Sequence, residues 1–95
     1  MFARITKYKM KAGSLDQATE IMNGLKGEIM GLPGIHQFIN TMDEDGSGHI
    51  IAIVESRETS EANAARVQEI WGAFAGLLEA APEMTGHDIL VNWSK

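Results

Sequence analysis

The succession of strand-forming and helix-forming segments is what most restricts this chain. "FARITKYKM" is rich in β-branched and aromatic residues and stops at Ala12-Gly13, as a strand does. Ser14 then opens "SLDQATEIMNGLKGEIMG", with Gln17 in the capping-box position. Leu15, Ala18, Met22, Leu25 and Ile29 recur at helical spacing and form one apolar stripe. Gly24 and Gly27 each weaken that helix by roughly 1 kcal/mol relative to Ala, so packing has to hold it. Gly31-Leu32-Pro33-Gly34 ends it. "IHQFIN" and "HIIAIVE" read as the next two strands. Ser56 is the predicted N-cap of a long second helix through "RETSEANAARVQEIWGAFAGLLEA", with Thr59 and Ser60 as later alternatives. Val67, Ile70, Trp71, Phe74, Leu77 and Leu78 supply its buried face, and Pro82 stops it. "TGHDILVNW" is the fourth strand. The order is βαββαβ, a single domain over residues 1–95 without repeat, linker or low-complexity segment.

Between the second and third strands lies "DEDGSGHI", which resembles half of an EF-hand loop. Asp43, Asp45, Ser47 and Gly48 match loop positions 1, 3, 5 and 6. Position 12, where calcium needs a bidentate Glu, falls on Val54, and a β-branched run follows the loop instead of a helix. The expectation is a polar hairpin turn with no calcium at Asp43–Gly48.

Bulk properties narrow the function classes. A net charge of −5 disfavours nucleic acid, which needs a clustered positive surface. Half of the eight basic residues, Arg4, Lys7, Lys9 and Lys11, alternate along the first strand and read as strand decoration. The chain has no cysteine, hence no disulfide, thiolate metal site or cysteine nucleophile. No apolar run reaches membrane-span length and no signal-peptide core is visible, so a cytoplasmic protein without membrane contact is expected.

The βαββαβ order on 95 residues implies a ferredoxin-like α+β fold: a four-stranded antiparallel sheet with two helices on one face. More narrowly, "KMKAGSLDQATEIM", "LPGIHQF" and "IAIVESRETSEANAA" together resemble the dimeric α+β-barrel superfamily that contains antibiotic-biosynthesis monooxygenase (ABM) domains. The resemblance implies a homodimer packed sheet to sheet. The chain also departs from the family. Many members carry Trp where Val54 ends the third strand. Haem-degrading members use a His on the second helix, but no histidine lies between His49 and His87. Their Asn on the first strand is absent, since that strand holds Arg4, Thr6 and Lys7. These departures argue against haem degradation.

A candidate site follows from strand parity. Pairing Met42 with His49 puts His36, Phe38, Asn40, His49, Ile51 and Ile53 on one face. Ile35, Ile39, Ile50, Ala52 and Val54 share the other with Gln37. The apolar set belongs against the helices. By the same parity Ala3 and Ile5 turn toward the helices, while Arg4, Thr6 and Tyr8 join the open face. A slip of one residue would exchange the hairpin sets. On this reading a second copy covers the open face and leaves a pocket for a small-molecule ligand. Arg4, His36 and Asn40 are the catalytic candidates; Thr6, Tyr8, Phe38, Ile51, Ile53 and Trp93 are substrate-binding candidates. Each has a plainer reading: an intersubunit ion pair for Arg4, a strand-end histidine for His36, seam polarity for Tyr8 and Asn40, a strand anchor for Trp93. A three-histidine metal site is excluded by distance, since six strand steps separate His36 from His49 by about 20 Å.

Two functions fit. The first is a cofactor-independent monooxygenase for a small aromatic, polyketide-like or quinol-type compound. In it His36 removes a proton, Arg4 and Asn40 stabilise the anion, and the anion reacts with oxygen. The second is a non-catalytic binding or sensing homodimer on the same scaffold.

Overall fold

The computed structural model describes residues 1–95 and shows seven elements: β1 (Phe2–Lys9), α1 (Leu15–Met30), β2 (Ile35–Met42), β3 (Ser47–Val54), α2 (Arg57–Ala62), α3 (Ala64–Gly72) and β4 (Glu83–Asp88). The strands form one antiparallel sheet in the order β2-β3-β1-β4. The helices cover one face of it. Tyr8, Met10, Ala18, Trp71, Phe74 and Leu77 make the core between the layers, and the Trp71 ring meets both Tyr8 and Phe74 edge-on, at 5.6 and 5.9 Å.

The second helical segment is not one helix. Asn63 interrupts it and is buried, its side-chain amide donating to the carbonyl of Pro33 at 2.9 Å. Helical structure then ends at Gly72, ten residues before Pro82. Phe74 and Leu77 still reach the core because tight turns replace helix there, with Phe74 N–H bonded to Trp71 O and Leu77 N–H to Phe74 O. Leu78 then bridges to Met10, which draws the chain back to the edge of the sheet. Ser56 caps α2 as expected, accepting from Thr59 N–H at 3.1 Å. Ser14 begins α1 without a side-chain cap, so the Gln17 capping box does not form. The fourth strand is also shorter than expected. It stops at Asp88, and Leu90 and Trp93 lie exposed beyond it at 94% and 88%.

The loop at Asp43–Ser47 closes the β2–β3 hairpin. Asp43 N–H bonds Ser47 O at 2.8 Å, and the Asp45 carboxylate accepts from the backbone and hydroxyl of Ser47. This turn pairs Thr41 with His49 and Met42 with Gly48, one residue away from the expected register. A bulge at His36 shifts the far end of the hairpin again.

The faces of β3 stand as expected, with Ile50, Ala52 and Val54 toward the helices. The hairpin register reverses Phe38, Ile39 and Asn40 of β2, and the pairing of β1 with β3 reverses Ala3 and Ile5, which were expected to turn inward, along with Arg4, Thr6 and Tyr8. Phe2, Arg4, Thr6 and Tyr8 lie opposite Val54, Ala52, Ile50 and Gly48, and this set faces the helices together with Phe38 and Asn40. Ala3, Ile5, Ile39, Ile51 and Ile53 occupy the uncovered face. The physical reason is space as well as turn geometry. Tyr8 lies against Gly48 and Phe2 against Gly86, where any Cβ would collide with the ring. Two large rings on β1 need those sockets, and both sockets open on the helix side.

Candidate functional site

Between the sheet and the helices lies a cavity of about 60 Å³. Met22 and Ile29 of α1, Ile35 and Phe38 of β2, Ile50 and Ala52 of β3, and Val67, Ile70 and Trp71 of α3 form most of its wall, with Phe74 beyond. Eleven of its thirteen lining residues are hydrophobic; Arg4 and Thr6 on β1 are the two exceptions. One water needs roughly 10–15 Å³ by this measure, so the cavity holds a few waters or a small fragment.

Arg4 is the chemically distinctive member. Its Nη1 donates to the Ser60 hydroxyl at 2.8 Å and its Nη2 contacts the Met84 thioether at 3.3 Å. Its Nε–H is buried and has no partner. A serine and a thioether are weak company for a guanidinium, and no carboxylate is among its partners. Arg4 as a whole is half-buried, so its charge is partly desolvated; without a counter-ion that carries a cost, which an anion arriving beside it relieves. Arg4 also borders a shallower groove with Arg57, Ser60 and Glu61, so its head group lies between the apolar cavity and the surface.

A second chamber of about 290 Å³ lies under the other half of α1, bounded by Tyr8, Met22, Asn23, Asn40, Met42 and Phe74 among others. The Tyr8 hydroxyl lies 2.7 Å from Asn40 Oδ1 and 2.8 Å from Thr41 O. One phenol proton serves only one of these acceptors. Turning the Asn40 amide round makes its NH₂ the donor to Tyr8 and satisfies both contacts. Burial raises the Tyr8 pKa above its ordinary 10.0, and the charge of Asp43 adds to the rise. Tyr8 is therefore a neutral hydrogen-bonding group at physiological pH.

The residues expected to share one open face are divided by the sheet. Arg4, Thr6, Tyr8, Phe38 and Asn40 lie on the helix side; Ile51 and Ile53 lie on the opposite side. Arg4, Thr6 and Phe38 line the first cavity, whereas Tyr8 and Asn40 line the second. His36 is exposed at the bulge and lines neither. Trp93 stands in the exposed tail, away from both. The open-face pocket and the expected placement of Arg4 in a sheet-to-sheet ion pair are thus corrected: Arg4 reaches Ser60 of its own α2. The sequence reading missed Ser60, Met84 and Met22 as neighbours of a site. Met22 was visible only as one member of a helical stripe, and Ser60 only as an alternative cap.

No protein-family model matches the sequence, and neither does any curated protein. Solved structures do resemble the fold. A monooxygenase from the gene ActVA-Orf6 of Streptomyces coelicolor, in complex with Nanaomycin D, superposes with a TM-score of 0.78 at 18% identity, over 99% of this chain and 91% of that one. An antibiotic biosynthesis monooxygenase gives 0.77 at 13% identity, over 96% and 100%. The NE2512 protein of Nitrosomonas europaea, of unknown function, gives 0.82 at 11% identity, over 99% and 93%. At such identities the likeness speaks for architecture, and the chain has the ferredoxin-like α+β fold of antibiotic biosynthesis monooxygenase structures.

Proposed function

We propose that this domain is a cofactor-independent monooxygenase that holds a small aromatic compound with an ionised oxygen in the cavity beneath its helices. The observation that carries this is Arg4: a buried, unpaired Nε–H and an arginine without a carboxylate, at the edge of an almost wholly apolar chamber. An aromatic ring matches the apolar chemistry of the walls, which must part beyond the cavity of about 60 Å³ to admit it, and its oxyanion would supply the missing counter-charge. A hydrogen bond to such a charged group contributes about 1.5–3 kcal/mol. By stabilising the anion, Arg4 lets the ring give electrons to oxygen. One oxygen atom would enter the ring carbon as a carbonyl, and the other would leave as water with the two displaced hydrogens. Likeness to a monooxygenase solved with Nanaomycin D supports an aromatic ligand.

In this reading Arg4 keeps the anion-stabilising role expected of it. His36, being exposed and outside the cavity, would act as base only on a proton that first reaches the surface. The absence of any ionisable base from the cavity lining favours the second reading, a binding or sensing domain without turnover. Oxygen uptake with a panel of hydroxylated aromatics separates the two. Consumption that disappears in Arg4→Met supports the enzyme; binding without consumption supports the sensor; neither binding nor uptake overturns both.

We also propose a homodimer. Ala3, Ile5, Ile39, Ile51 and Ile53 form an aliphatic stripe that no element of this chain covers, and Ile39 is 40% exposed. A second sheet of the same composition would bury it.

A further inference from the structure

We propose that Met22 is the partition that sets how long a ligand this domain accepts, an inference that rests on the ligand site just described. Met22 lies half-buried in the middle of α1. It lines the Arg4 cavity, the Tyr8–Asn40 chamber, and a third recess of about 210 Å³ beside Lys26. Phe74 stands with it between the first two, and Phe38 between the first and third. Of these wall residues only Met22 belongs to all three. Its unbranched thioether chain turns about several bonds at little cost, which no neighbouring branched or aromatic wall residue can do. The helix that carries it is lightly anchored: Ala18 and Ile29 are its only buried residues.

The ends of the combined space differ in chemistry. Arg4 and Tyr8 project from the same face of β1, four residues apart, so their backbones are about 13 Å from one another. Arg4 offers a cation, while Tyr8 and Asn40 offer neutral hydrogen bonds. With Met22 in place, only a short ligand occupies the Arg4 end. With Met22 swung aside, a fused two- or three-ring compound runs from one end to the other, anionic oxygen toward Arg4 and a second polar group toward Tyr8.

The test uses benzoate, naphthoate and anthracenecarboxylate, which share the carboxylate and differ in ring number. Each is titrated into the wild-type chain, Met22→Ala, Met22→Leu and Arg4→Met. Met22→Ala is expected to raise the affinity for the three-ring acid relative to benzoate by about tenfold, equivalent to about 1.4 kcal/mol. Met22→Leu, of similar volume, is expected to keep the wild-type profile. Arg4→Met is expected to lose binding of all three. If Arg4→Met abolishes binding but Met22→Ala has the wild-type ring-number profile, the partition is wrong and the ligand site stands. If wild type binds none of the acids, or Arg4→Met binds them equally well, the ligand site fails and the partition with it. Should Met22→Ala not fold, Met22→Val is read in its place.

Discussion

The two faces of the single sheet solve opposite problems. The helix face buries a threonine and a tyrosine of β1 and half-buries an arginine, although helix-covered faces are usually apolar. The free face carries Ala3, Ile5, Ile39, Ile51 and Ile53, which water does not favour. The contrast teaches that the hydropathy of a strand residue does not by itself choose its side. Tyr8 is tolerated inside because Asn40, Thr41 and the edge of Trp71 receive it. Arg4 is tolerated because Ser60 takes part of its hydrogen-bonding need. The isoleucines outside have no such partner within the chain.

The sharpest way to break the contrast is to truncate the helix-side core. Trp71→Ala removes the ring between Tyr8 and Phe74 and is expected to destabilise by about 3–5 kcal/mol, read from urea unfolding. A loss below about 1 kcal/mol would mean that the helix layer does not hold this face. On the free face, Ile51→Lys combined with Ile53→Lys is expected to leave the chain folded. It should weaken self-association by about 100-fold, roughly 2.8 kcal/mol, in a sedimentation dilution series. A wild-type chain that is already monomeric at high concentration would remove the dimer.

Arg4→Met compares charge with shape on the helix face, where the cavity meets the surface groove. Replacing an incompletely paired, half-buried charge by an apolar chain of similar length is expected to be neutral or stabilising by about 1 kcal/mol. Destabilisation instead would make Arg4 a brace for Ser60. The smallest effect concerns Tyr8, the only tyrosine in the chain, whose tyrosinate absorbance is therefore unambiguous. Its folded pKa is raised, so the unfolded state loses the phenol proton first. The stability it contributes is complete below pH 10.0 and is lost as pH rises through the folded pKa. Titration of the folded chain at the ordinary tyrosine value would show that Tyr8 is not buried.

How far the sequence could be read depended on the range of the interactions involved. The first three strands, the first helix, the Ser56 cap and the Asp43–Ser47 hairpin are governed by neighbours a few residues apart, and all were legible, whereas the fourth strand stops short of the expected Trp93. The break at Asn63 was not, because its cause is Pro33, thirty residues away. The early end at Gly72 was not; it precedes turns that bring Leu78 back to bridge Met10, a contact remote in sequence. The faces of β2 turned on one residue of hairpin register, and those of β1 on its separate pairing with β3. Gly48 and Gly86 were the available signal, since an unfilled Cβ position opposite an aromatic marks where that ring must go.

The sequence by itself determined the order of elements and the kind of sheet they build, because periodicity, caps and turn residues act locally. Tertiary structure alone decided which side of that sheet holds Arg4, Thr6 and Tyr8, and hence where a ligand could be met. Strand side chains alternate with a period of two, so a single slipped pairing reverses every one of them. Only the packing of Tyr8 and Phe2 into distant glycines chooses between the two outcomes.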